Sequence, residues 1–187
     1  MTTLSNRPNK ALVVIDVQNG VVWDAYDRDR IVGNIASLVA SARANNVPVV
    51  WVQHSDEEMP IGGEYWQLVP ELIPVDGEAR VEKLYRNSFE ATTLEDSLAK
   101  LGAGELIICG SQTNNCVRHT IHGALDRGYD VTLVEDAHTT SDFEWDHGVI
   151  SALSIIDEQN ANCRGLSLPG RNCDIVLSDN AFKKLGI

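Results

Sequence analysis

Three reactive side chains each follow a hydrophobic run: Asp16 after ALVVI, Lys83 closing ARVEK, and Cys116 a few residues beyond ELIIC. A thiol, a carboxylate and an ammonium are the parts of a nucleophilic hydrolase. The thiol attacks a carbonyl, the carboxylate shuttles the proton, and the ammonium supports the developing negative charge. A free cysteine titrates at about pH 8.5, and a helix start or a nearby ammonium lowers that value. Cys116 is expected to have both. It should then be alkylated at mildly acidic pH, before Cys109, Cys163 or Cys173. Taken singly, each residue has a plain role as a buried thiol, a turn carboxylate or a solvated charge. Their shared position at strand ends is what argues for chemistry.

The elements that must position them alternate along the chain. Strands are predicted at 11–16, 47–52, 105–109 and 130–134, with weaker ones near 79–83 and 160–165. The strong strands are nearly continuous in Val, Ile and Leu, as in a parallel sheet covered on both faces. Between them, Ile31, Ile35, Leu38, Val39 and Ala42 recur at helical spacing. Thr92 and Glu95 have capping-box spacing and predict a helix through Leu98 to Leu101. Val117, Ile121, Ala124 and Leu125 form a further stripe ended by Gly128, and a last helix is expected from Trp145 to Glu158. This rhythm predicts a doubly wound three-layer α/β/α fold. In such sheets ligands bind beyond the carboxyl ends of the strands, so the three residues should share one rim. The irregular 54–79 segment, rich in Pro and Gly, is expected to border that site.

The chain of 187 residues fits one domain, 1–187. Its net charge of −12 argues against a nucleic-acid partner, which would need a basic face. No apolar run reaches the roughly 18 residues of a membrane span. The polar start MTTLSNRPNK lacks the apolar core of a secretory signal, so a cytoplasmic protein with free thiols is expected.

The motifs IDVQNG, the lysine ahead of NSF, and GSQTNNCV together resemble the isochorismatase-like cysteine hydrolase superfamily over about residues 10 to 160. The resemblance implies a six-stranded, mainly parallel sheet and assembly as a homodimer or larger oligomer. It implies a catalytic triad of Asp16, Lys83 and Cys116. It also implies a cis peptide at Ser111–Gln112, with the N–H groups of Gln112 and Cys116 holding an oxyanion. The family's nicotinamidases bear a metal site after the second strand. Here VQHSDEEMP supplies only His54 and Asp56, with the next histidine at His119, so no metal and no cofactor are expected. Gly20 and Val21 replace the family's usual Asp-Phe and alter the pocket wall.

The expected partner is a small molecule with an amide, ureido or lactam C–N bond. A vinyl-ether substrate, or a silent binding protein of the same fold, are the alternatives. Candidate substrate contacts are Trp23, His54, Phe89 and His138. Tyr26, Tyr65 and Trp66 lie in segments that reach either pocket or core, and Gln18 is expected to support the turn below Asp16.

Overall fold

The computed structural model describes residues 2–183, so residues 1 and 184–187 of the expected domain lie outside it. The chain runs β1 (Asn9–Ile15), α1 (Asn19–Val22), α2 (Arg28–Ala44), β2 (Val49–His54), β3 (Ala79–Lys83), α3 (Leu94–Lys100) and β4 (Ala103–Ser111). A π-helical turn, Thr113–Val117, leads into α4 (Arg118–Asp126) and β5 (Asp130–Thr139). There follow a small hairpin of β6 (Phe143–Trp145) and β7 (Gly148–Ile150), then α5 (Ala152–Gly165), β8 (Ser167–Leu168) and β9 (Arg171–Val176).

The main sheet has the order β3-β2-β1-β4-β5-β9-β8. Its first six members pair in parallel, and the two-residue β8 adds a seventh, antiparallel edge to the six expected. Alternation along β1 explains the layers. Leu12 and Val14 pack with Ile31, Ile35 and Leu38 of α2 on one face. Val13 and Ile15 pack with Leu94 and Leu98 of α3 and Ile121 and Leu125 of α4 on the other. Both faces are covered, which is why the strands carry no polar alternation.

The chain winds outward from β1 to β2 and β3, then returns to place β4 on β1's other side. The gap beyond β1 and β4 is therefore the switch point where this class of sheet opens a crevice. Gly110 makes the close approach possible. It has φ +121°, and a Cβ there would lie 2.0 Å from the Ile15 carbonyl oxygen. Only glycine fits.

Several local expectations are corrected. Residues 160–165 are the end of α5, not a strand, and α5 begins at Ala152 rather than near Trp145. The Ser151 hydroxyl accepts from the Ser154 N–H and sets that start, while 143–150 form the hairpin. The capping box does not close. Thr92 Oγ1 accepts from the Leu94 N–H, and the Glu95 carboxylate instead accepts from the Tyr129 hydroxyl.

Two proposed substrate contacts turn out to be packing residues. Phe89 is 6% exposed and lies against Tyr129, with the Arg127 guanidinium over its ring. β5 continues five residues past the predicted end, which puts His138 in the ladder opposite Gly110. His138 is fully buried. Its Nδ1 is 2.9 Å from Thr113 Oγ1 and its Nε2 is 2.9 Å from Asn160 Oδ1. Asn160 Nδ2 donates to the Glu135 carbonyl, so Asn160 Oδ1 is an acceptor and the ring donates through Nε2. The ring thereby ties the π-turn to β5 and α5.

Burial holds the His138 pKa down to about 4, with the Asn160 bond and Asp136 opposing weakly. A histidine depressed in the fold leaves the unfolded chain binding more protons, so stability is lost as pH falls from about 6.5 toward 4. The stability difference between wild type and His138→Gln should shrink by about 2–3 kcal/mol between pH 7 and 4.5. Urea unfolding at the two pH values measures it, and a difference that ignores pH would overturn the assignment.

Candidate active site

β1 ends at Ile15, and the backbone turns left-handed at Asp16, with φ +49°. Asp tolerates that conformation better than most residues. The Asp16 N–H still donates to the Val52 carbonyl, so the turn stays tied to β2. Lys83 ends β3, in register with His54 at the end of β2. β3 is two strands from β1, roughly 10 Å away. A lysine stem reaching across the end of β2 covers that gap. Lys83 Nζ lies 2.6 Å from Asp16 Oδ2 and 3.2 Å from Cys116 Sγ. At 2.6 Å the contact is an ion pair, and no described donor makes an aligned hydrogen bond to either carboxylate oxygen.

Cys116 sits in the π-turn, where the Val117 N–H reaches back to the Gln112 carbonyl. Single π-turns of this kind concentrate at functional sites. Asn115 Nδ2 donates to Gln112 Oε1, Thr140 Oγ1 to Asn114 Oδ1, and Ser111 Oγ to the Thr139 carbonyl. The Ser111–Gln112 peptide is cis.

The electrostatics correct one expectation. Burial pushes the Asp16 pKa up, against the downward pull of Lys83. Burial pulls Lys83 down, but Asp16 and Cys116 beside it leave its ammonium more firmly protonated than usual. The Cys116 thiol is pushed up to about 12, by burial first and then by the Asp16 charge, with Lys83 opposing. It is therefore a neutral thiol at rest, not the acidic thiolate expected. The ammonium's charge is already committed to Asp16.

A cavity of about 720 Å³ opens over this group. Asp16, Gln112 and Cys116 line it together with Trp23 and His54. His54 Nε2 is 3.3 Å from Asp56 Oδ2. Trp23 is 75% exposed, a large apolar surface left open to solvent. The 54–79 segment does border the site, supplying Asp56, Glu58, Met59 and Tyr65 to the wall. Gln18 supports the turn. Its Nε2 donates to the His54 and Trp66 carbonyls, and its Oε1 accepts from the His54 N–H. Gly20 lets this segment close on α1, because a Cβ there would meet Tyr65 Cβ at 2.9 Å. Arg86, Glu58 and Asn115 also line the cavity and escaped the sequence reading. The available signal was adjacency, since Arg86 lies just beyond Lys83 and Asn115 just before Cys116.

Comparison with known proteins identifies relatives of the chain. Residues 10–167 match the isochorismatase domain. Streptothricin hydrolase from Streptomyces noursei is 36% identical over 147 residues, covering 75% of this chain and 58% of that protein. Ureidoacrylate amidohydrolase from Enterobacter sp. is 26% identical over 187 residues, covering 73% of this chain and 81% of that protein. The crystal structure of an isochorismatase from Pseudomonas putida superposes with TM-score 0.83 at 31% identity, covering 92% of this chain and 89% of that one. The chain spans little more than half the length of the streptothricin hydrolase it matches. With the domain matched across most of its length and the fold shared, this chain belongs to the isochorismatase family.

Proposed function

We propose that this protein is a cysteine hydrolase that cleaves the C–N bond of a small amide, ureido or lactam substrate through a thioester. The observation that carries the reading is Lys83 Nζ, 2.6 Å from Asp16 Oδ2 and 3.2 Å from Cys116 Sγ, beneath an open cavity. Relatives named as a streptothricin hydrolase and a ureidoacrylate amidohydrolase support amide chemistry.

In the proposed sequence, Asp16 takes the Cys116 proton as sulfur bonds to the substrate carbonyl carbon. The N–H groups of Gln112 and Cys116 hold the resulting oxyanion. Collapse breaks the C–N bond, and Asp16 returns the proton to the departing amine. Asp16 then takes a proton from water, whose oxygen attacks the thioester, and the thiol leaves with that proton. Lys83 stays protonated throughout. A carboxylate made more basic by burial suits the first step. Assembly into a homodimer or larger oligomer belongs to the same reading. The exposed Phe143, Trp145, Val149 and Ile150 of the hairpin support it.

Ammonia release across primary amides, ureido acids and biuret, with ring opening followed for lactams, tests the reaction. Cys116→Ala, Asp16→Asn and Lys83→Met should each lose on the order of 10³-fold or more in kcat/KM. Full turnover by Cys116→Ala would sink the thioester route. Pyruvate release by that variant from a vinyl-ether substrate would replace it with the vinyl-ether reading.

The raised thiol gives a second test. Iodoacetamide should modify Cys116 first, because the other three cysteines are buried. Its rate should climb from pH 7 through pH 9 without levelling, since a thiol at about 12 is still gaining thiolate there. Asp16→Asn removes the anion that raises the thiol, so it should speed alkylation at pH 7 while abolishing turnover. A plateau below pH 8 in wild type would contradict the neutral resting thiol.

A further inference from the structure

Among the described residues, Arg86 is the one guanidinium on the cavity wall. Acids outnumber bases in this chain, 27 to 15, so carboxylates without partners are the default and arginines have partners to spare. Six of the ten arginines do stand in ion pairs. Two more are engaged otherwise: Arg127 over Phe89, and Arg171 on backbone carbonyls. Among the described residues, only Arg80 and Arg86 have neither kind of contact, and of these two only Arg86 lines the cavity.

Its backbone is nonetheless fixed. Three residues before it, Lys83 is anchored in the ion pair. Two residues after it, the Ser88 N–H donates to Thr120 Oγ1 on α4, and the Ser88 hydroxyl lies 2.8 Å from the same oxygen. The adjoining Asn87 side chain accepts from the Phe89 N–H. The loop thus holds an exposed, unpaired guanidinium on the wall of the cavity that Cys116 also lines.

The two acids of the 54–79 segment that share its cavity wall form no ion pair with it. Asp56 Oδ1 accepts from the Glu58 and Met59 N–H groups, and its other oxygen faces His54. Glu58 lines the same cavity without pairing with Arg86. A planar guanidinium fork matches a carboxylate with two parallel hydrogen bonds.

We infer that Arg86 is a specificity-determining residue that binds a carboxylate on the substrate. The substrate class is thereby narrowed to small amides or ureides that carry an acid group. The inference rests on the reading of Cys116 as nucleophile, and its test separates the two.

Cys116 is alkylated with iodoacetate and iodoacetamide in parallel, and the ratio of the two rates is read. The ratio cancels the thiol's own reactivity. In a chain of net charge −12, the anionic reagent is the slower one without a local cation. Wild type should favour iodoacetate, with saturation. Arg86→Gln should lower the ratio on the order of tenfold or more, and Arg86→Lys should restore part of it. A wild-type ratio below one that Arg86→Gln leaves unchanged overturns the carboxylate site while Cys116 remains a nucleophile. A Cys116 inert to both reagents removes the nucleophile reading, and the inference with it. A wild-type ratio below one that rises in Glu58→Gln, with no effect of Arg86→Gln, would assign the cavity to cations instead. Turnover gives the matching split. Arg86→Gln should raise KM for a ureido acid on the order of tenfold or more with kcat little changed, and leave its carboxylate-free counterpart within about twofold.

Discussion

Lys83 and Asp16 face each other 2.6 Å apart, with side chains 0% and 1% exposed. Removing two charges from water costs several kcal/mol per ion, and only close, well-held pairing offsets it. Deleting either partner strands the other, at about 3–5 kcal/mol. That constraint explains features that look unrelated in the sequence. The third strand must lie two places from the first. Its last residue must be a long cation able to reach across β2. The first strand must end in a backbone turn that aims its carboxylate back toward that cation. The order β3-β2-β1-β4 and the left-handed Asp16 are the consequences.

The thiol must then be brought to a pair that is already fixed. The sheet does this at its switch point, where β4 returns beside β1 and Gly110 lets the two backbones meet. The π-turn that carries Cys116 is held from behind through Thr113, His138 and Asn160. The opposite wall is held through Gln18, whose amide joins the start of α1 to the end of β2 and to the 54–79 segment. These are buried polar contacts with their partners in place. Such networks specify one arrangement where apolar packing alone would tolerate several.

The layered fold was legible because long apolar runs alternating with helical stripes have few other solutions. The strand-end positions of Asp16, Lys83 and Cys116 were legible for the same reason. What failed was whatever depended on where an element stops. His138 was placed on the rim because β5 was ended at Val134, and the five further ladder residues turned it inward. Phe89 sits among site residues in sequence, yet its ring is drawn into the core by Tyr129 and Arg127. The 160–165 stretch was read as a strand because periodicity over six residues cannot separate a short strand from a helix end. Arg86 was invisible for a different reason. An arginine in a loop is ordinary in sequence. Its meaning comes from lacking a carboxylate partner in a chain full of carboxylates, which only three-dimensional placement reveals.

The resting protonation of Cys116 fits the proposed chemistry better than a preformed thiolate would. For groups buried as Lys83 and Asp16 are, net charge is the costly quantity. A neutral thiol beside an ionised Asp16 and a protonated Lys83 carries none. Moving the thiol proton to Asp16 as sulfur attacks puts the negative charge on the substrate oxygen, and the cluster with its substrate remains neutral. Returning that proton to the leaving amine restores the ion pair, again with no net change. A thiolate at rest beside the ionised Asp16 would leave one uncompensated negative charge. The high thiol pKa is the thermodynamic expression of that penalty. In the proposed sequence, burial delays ionisation until a carbonyl is present to accept the charge, and the thiol rests in the form less open to solvent oxidants.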